Sequence, residues 1–147
     1  MAPEGEARER LPWALIGAGP TGLSAARNLS RRGIPFVGFE IHSDVGGLWD
    51  ITSEKSTMYE SAHLISSKTT TAYDEFPMRE EVADFPSHWE MNTYFKDYAD
   101  TFDLRRNFRF NTEVIAAEPE DPDSVDSTWK VTVRDADGKE ETGRYAG

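Results

Sequence analysis

Gly17-Ala18-Gly19-Pro20-Thr21-Gly22 is a G-x-G-x-x-G hexapeptide set between a short apolar run and a helix-like stretch. That placement restricts the fold more than any other feature of the chain. Glycines recur in turns, so the spacing alone says little; its flanks say more. Trp13-Ala14-Leu15-Ile16, bounded by Pro12 and Gly17, reads as a buried parallel strand. Thr21 to Arg32 is predicted as a helix, with Leu23, Ala26 and Leu29 on one face and Gly33 as its C-terminal cap. Pro35-Phe36-Val37-Gly38-Phe39 is a second apolar strand, ending at Glu40. Strand, helix and strand fill about 28 residues, the size of one βαβ unit.

In such a unit each glycine has a task. Gly17 permits the tight turn, Gly19 lets backbone approach a pyrophosphate, and Gly22 lets helix and strand pack closely, a contact that the small Ala26 extends. Ala18, Pro20 and Thr21 complete the loop, and the helix start offers free N–H groups and a positive dipole end to phosphate. Glu40 stands near the usual spacing of about 20 residues beyond the glycines, where a carboxylate accepts hydrogen bonds from the adenosine ribose. A carboxylate there repels a 2′-phosphate, and Ile41 and His42 follow it rather than an arginine. The site is therefore expected to hold FAD or NAD rather than NADP. Gly46-Gly47-Leu48-Trp49 favours the longer FAD, because a second glycine pair admits backbone to another part of the cofactor and Trp49 can cover a flat ring. A loop glycine pair beside a core tryptophan is the plain alternative.

From Ile41 to Pro86 the chain reads as irregular, but Trp49, Tyr59, Tyr73, Phe76 and Phe85 argue for a packed segment over a ligand. Asn92 to Asp103 is predicted as an amphipathic helix, with Tyr94, Tyr98 and Phe102 on one face, Phe95 and Ala99 beside them, and Asn92 as N-cap. Phe108 to Ala117 reads as one strand. Trp129, Val131 and Val133 alternate as in a half-exposed strand, and Asp137-Gly138 marks a hairpin whose return strand is Lys139 to Tyr145.

The 147 residues suit one domain. Two nucleotide-binding domains need roughly 100–150 residues each, more than the chain holds. A formal net charge of −11 and no basic stripe argue against nucleic-acid binding. Arg31-Arg32 and Arg105-Arg106-Arg109 read as solvated clusters, as do Glu80-Glu81 and Glu140-Glu141. The lack of cysteine removes disulfides, iron–sulfur clusters and thiolate chemistry. His42, His63 and His88 show no ligand spacing and read as ordinary loop or surface residues, so no metal site is expected. Ser66 and Ser67 lie in no nucleophile elbow. No apolar run is long enough to span a membrane. Residues 1–10 read as a frayed, disordered polar tail without a leader's apolar stretch, which points to the cytoplasm.

Taken together, Gly17 to Gly22, Glu40, Gly46-Gly47-Leu48-Trp49, Tyr59 to Lys68 and Asp74-Glu75-Phe76-Pro77 resemble the flavin-containing monooxygenases, relatives of the Baeyer–Villiger monooxygenases. The likeness runs from about Trp13 to Val114. It implies an α/β, Rossmann-like FAD-binding domain over 11–147: a parallel sheet with the βαβ site plus an antiparallel hairpin or meander. It implies FAD on Gly17 to Thr21 and Glu40, with Gly47, Leu48 and Trp49 at FAD-contacting positions. Ile65 and Ser66 would lie near the flavin ring, and the Val114 backbone would meet the adenine. It further implies NADPH as reductant, and O2 forming a flavin C4a-hydroperoxide that oxygenates a soft nitrogen or sulfur, or a ketone. Ile65 stands where many members carry an asparagine, so Ser66 or Ser67 would have to take its place or the oxygen chemistry would differ.

The family's second glycine motif, for NADPH, does not occur here, so the chain is expected to be an incomplete domain whose independent turnover is in doubt. Three readings compete: the FAD-binding portion of a monooxygenase, an NAD-dependent oxidoreductase, and a non-catalytic nucleotide-binding fragment. The second leaves Gly46 to Trp49 without a task.

Overall fold

A computed structural model describes residues 11–147; the tail expected over residues 1–10 lies outside them. Three parallel strands, β1 (Trp13–Ile16), β2 (Phe36–Phe39) and β3 (Phe108–Arg109), form one sheet in the order β1-β2-β3. Ala14 lies in register with Val37, and Gly38 with Phe108. Helix α1 (Pro20–Arg31) crosses between β1 and β2. Its start is set by Pro20, whose fixed φ suits a first helical position, and Gly33, at φ +65°, ends it. The predicted βαβ unit is present, but β1 is less buried than its apolar run implies: Trp13 and Ile16 are 43% and 57% exposed.

The second sheet is antiparallel, in the order β4 (Glu113–Pro119), β5 (Trp129–Arg134) and β6 (Glu140–Tyr145). The Asp137-Gly138 hairpin is where the sequence puts it, with Gly138 at φ +82°. The single strand expected from Phe108 to Ala117 is instead two. Asn111 adopts φ +52°, which breaks the extended run, so Phe108 joins the parallel sheet and Val114 the antiparallel one.

Between β2 and β3 lie the long segment 41–86, whose regular helical pieces are a 3-10 turn (Gly47–Trp49) and the short helix α2 (Lys68–Thr71), then helix α3 (His88–Thr101) and a second 3-10 turn (Arg105–Asn107). Helix α3 begins earlier than its aromatic periodicity predicts. Ser87 is the N-cap, accepting from the Glu90 N–H while the Glu90 carboxylate accepts from the Ser87 N–H at 2.9 Å. Asn92, expected as the cap, is buried inside the helix, and His88 is fully buried rather than a surface residue. Tyr94, Phe95, Tyr98 and Ala99 form the expected inner face.

The parallel sheet is covered on both sides. Leu15, Phe36 and Phe108 meet the core built by Leu23, Ala26, Met91, Phe95 and Leu104. Ala14, Val37 and Phe39 meet Val131, Val133 and Tyr145 of the second sheet, where Phe39 and Tyr145 stack edge to face at 5.9 Å. Beyond β6 the Ala146 N–H donates to the Pro12 carbonyl, and the Gly147 carbonyl accepts from the Ala14 N–H at 2.9 Å. Among the described residues no helix is long and apolar enough to cross a membrane.

Candidate nucleotide site

The hexapeptide turns sharply from β1 into α1. The Gly17 N–H donates to the Phe39 carbonyl at 2.8 Å, binding the loop to the end of β2. A Cβ on Gly22 would lie 2.0 Å from the Gly17 carbonyl oxygen, so strand and helix approach each other as only glycine allows. Gly19, the N-cap, supplies no side-chain acceptor. The free N–H groups of the first turn are left for a ligand, where the helix dipole favours an anion. Thr21 is exposed there.

Glu40 is 5% exposed, and its carboxylate is bonded to the loop itself. Oε2 accepts from the Ala18 N–H at 2.6 Å and Oε1 from the His42 N–H at 2.8 Å. The side chain therefore fixes the second residue of the glycine motif. A carboxylate has about four accepting positions, so roughly half remain for hydroxyls.

The Gly46-Gly47 turn closes on the same loop. Gly46 N–H donates to the Ala18 carbonyl at 3.1 Å, and both glycines have positive φ, +122° and +60°. A Cβ on Gly47 would stand 3.0 Å from the Cα of Gly19. The two glycine turns are thus in contact, though far apart in sequence. Leu48 is half exposed, while Trp49 packs partly on the core. The Asn92 Oδ1, buried without a hydrogen-bond partner, faces Gly46 from behind: a Cβ there would be 2.5 Å from it.

An ion-pair network anchors this turn. Arg105 donates to Asp44 at 2.8 Å and also pairs with Asp100, while Lys96 lies 3.4 Å from both Asp44 and Asp50. Burial pushes the Asp44 carboxyl up, but the Arg105 hydrogen bond, the Val45 N–H and the neighbouring cations outweigh it and hold it below the ordinary value. Arg105 and Arg109 are therefore not merely solvated; Arg109 pairs with Glu141 and lies 5.5 Å over the Phe39 ring.

The structure thus assembles Gly17 to Gly22, Glu40 and Gly46 to Trp49. Ile65, Ser66 and Ser67 stand apart. Ile65 is 97% exposed, the Ser66 hydroxyl bonds Thr71 at 2.7 Å, and the Ser67 hydroxyl bonds Thr69 and Thr70. Val114 sits in β4 against the second core. Sequence reasoning read Asn92 only as a helix cap and so missed its place behind Gly46, because it belongs to no spaced motif. No group of His, Cys, Asp or Glu among the described residues could hold a metal ion.

The uncapped helix start, the glycine cradle and the carboxylate at the end of the second strand suit a dinucleotide. Comparison with known proteins agrees. The flavin-binding monooxygenase-like family model matches residues 11–146. Flavin-containing monooxygenase FMO GS-OX5 of Arabidopsis thaliana is 34% identical over 161 aligned positions, covering 94% of this chain and 34% of its own length. Human flavin-containing monooxygenase 5 is 29% identical, covering 91% of this chain and 26% of its own. Among solved structures, OTEMO in complex with FAD and NADP superposes with a TM-score of 0.76 at 30% identity, covering 93% of this chain and 24% of that one. S-allyl-L-cysteine S-oxygenase from Allium sativum, at 24% identity, shares the fold with a TM-score of 0.81 over 93% of this chain and 35% of its own. The chain spans about a third of the length of the curated relatives it matches. It belongs to the flavin-binding monooxygenase-like family.

Proposed function

We propose that this chain is the FAD-holding portion of an NADPH-dependent monooxygenase that transfers one oxygen atom of O2 to a soft nitrogen or sulfur, or to a ketone. The contact between the two glycine turns carries the reading. The first turn alone suits the pyrophosphate of any dinucleotide, NAD included, whereas Gly46-Gly47 against Gly19 provides a second stretch of backbone that favours the longer FAD. Relatives reported with FAD and NADP, and with NADP, support it.

Gly17 to Gly22 would hold the pyrophosphate, with the first-turn N–H groups of α1 donating to it. Glu40 would accept from the ribose hydroxyls while keeping its bond to Ala18. Gly47, Leu48 and Trp49 would line the path toward the flavin, with Ile65 and Ser66 near its ring and the Val114 backbone at the adenine. When bound, FAD supplies the redox and oxygen chemistry; the protein's share is placement and the exclusion of water. The Ile65 side chain offers no hydrogen bond at the position where the family resemblance implies an asparagine. That makes the outcome of oxygen activation a property to measure: oxygenated product against released peroxide in the loaded protein.

The direct test is the visible absorption spectrum of the purified chain, with released cofactor identified by chromatography. Flavin bands and released FAD are expected. A colourless chain that takes up NADH but not FAD overturns the reading in favour of an NAD site. Gly19→Val is expected to abolish flavin uptake, because its branched side chain would fill the cradle between the turns.

A further inference from the structure

The turn from Tyr73 to Phe76 overlaps the Asp74-Glu75-Phe76-Pro77 motif, which lies outside both glycine turns. It is bonded to the phosphate loop. The Tyr73 hydroxyl donates to the carbonyl of Pro20, a residue 53 positions away and the fourth of the G-x-G-x-x-G motif. The Tyr73 N–H donates to the Tyr94 hydroxyl at 2.8 Å, which in turn donates to the Phe76 carbonyl at 2.6 Å. Its ring lies 4.4 Å from that of Tyr98. Burial pushes the Tyr73 hydroxyl well above the ordinary range, so it remains a donor throughout neutral pH.

Two residues on, Glu75 grips α1 again. Its two oxygens accept from Arg27 at 3.0 Å each, and Arg27 lies 4.0 Å over the Phe102 ring. The Arg27 hydrogen bond holds the Glu75 carboxyl below its ordinary value. Helix α1 is thus held at its first residue and again about two turns on. The first hold matters for a ligand. Gly19 supplies no side-chain cap, so the Pro20 carbonyl is where a side chain from outside the helix holds its start.

We propose that Tyr73 is a positioning residue for the dinucleotide: through the Pro20 carbonyl it aims the free N–H groups of α1 at the pyrophosphate. The inference rests on the cofactor reading above. Tyr73→Phe removes one hydroxyl and leaves the ring packed, and the Pro20 carbonyl keeps its place in the helix ladder. Aim should therefore suffer more than folding.

The experiment titrates FAD into the parent chain and its variants by flavin fluorescence, with a urea midpoint for each chain without cofactor. Tyr73→Phe is expected to weaken FAD binding about five- to tenfold, as loss of one hydrogen bond's positioning would. Tyr98→Phe is the control. It loses a 3.1 Å bond to Glu75 in the same aromatic cluster without touching Pro20. It should lose similar urea resistance yet keep FAD affinity within about twofold. Tyr94→Phe, which frees the Tyr73 backbone, should cost about two- to threefold in affinity. Unchanged affinity in Tyr73→Phe, or an equal loss in Tyr98→Phe, overturns the proposal. Failure of the parent chain to take up FAD overturns the cofactor reading itself, and the role of Tyr73 with it.

Discussion

The two sheets have three strands each but opposite tolerances. The parallel sheet is covered on both faces and ends in the glycine loop, where backbone meets backbone at Gly17–Gly22 and at Gly19–Gly47. The antiparallel sheet buries one face through Val131, Val133 and Tyr145 and leaves the other to cross-strand pairs such as Thr132–Thr142, at 2.9 Å. In the first, shape is set by what is absent, namely side chains at the glycines. In the second it is set by alternation, which many sequences satisfy. The glycine loop, proposed to hold the cofactor, is therefore the part of the molecule least able to vary.

Substitutions sharpen this contrast. The largest effect is expected from Gly22→Ala. Helix propensity favours alanine by about 1 kcal/mol. The added Cβ, however, would sit 2.0 Å from a backbone oxygen. Overpacking of this kind typically costs 1–3 kcal/mol or more, so a net loss of about 2 kcal/mol and absent FAD uptake are expected. A urea midpoint equal to the parent's would break the argument.

Glu40→Ala comes next. The buried Ala18 N–H loses its acceptor, at the low end of about 1–3 kcal/mol because alanine leaves room for water, and the half-buried His42 N–H turns to solvent. Cofactor affinity, measured well below the unfolding transition, should fall further than folding stability does. Equal losses would make Glu40 purely structural. Thr142→Ala, on the open face of the antiparallel sheet, should change stability by less than about 1 kcal/mol and leave FAD uptake alone. A cofactor defect there would show that the two sheets are not independent in function.

Much of this was legible in the residues. The strand–loop–helix–strand order and the hairpin follow from glycine placement and apolar periodicity, both local signals. The misreadings share a cause: a local cue that competed with a stronger one. The aromatic stripe placed the helix start at Asn92, although Ser87 and Glu90 already spelled a capping box. The run from Phe108 to Ala117 looks uniformly extended, and only Asn111, a residue tolerant of positive φ, marks the break. His88 is buried because it shares the inner face of α3 with Met91 and Asn92, which no single-residue rule foresees. The bond from Tyr73 to Pro20 is a purely tertiary product of the long segment folding back.

The Glu40–Ala18 bond also limits the evolution of this chain. Changing dinucleotide preference at such a site generally means replacing the acid that meets the ribose. In this chain Glu40, proposed for that role, also accepts from the loop's own backbone at Ala18 and His42. The first mutational step toward a 2′-phosphate would remove a fold contact before any new affinity appeared. On the proposed reading, a second residue would have to take over the Ala18 N–H before Glu40 could be replaced without loss to the fold, so the order of substitutions would matter as much as their nature.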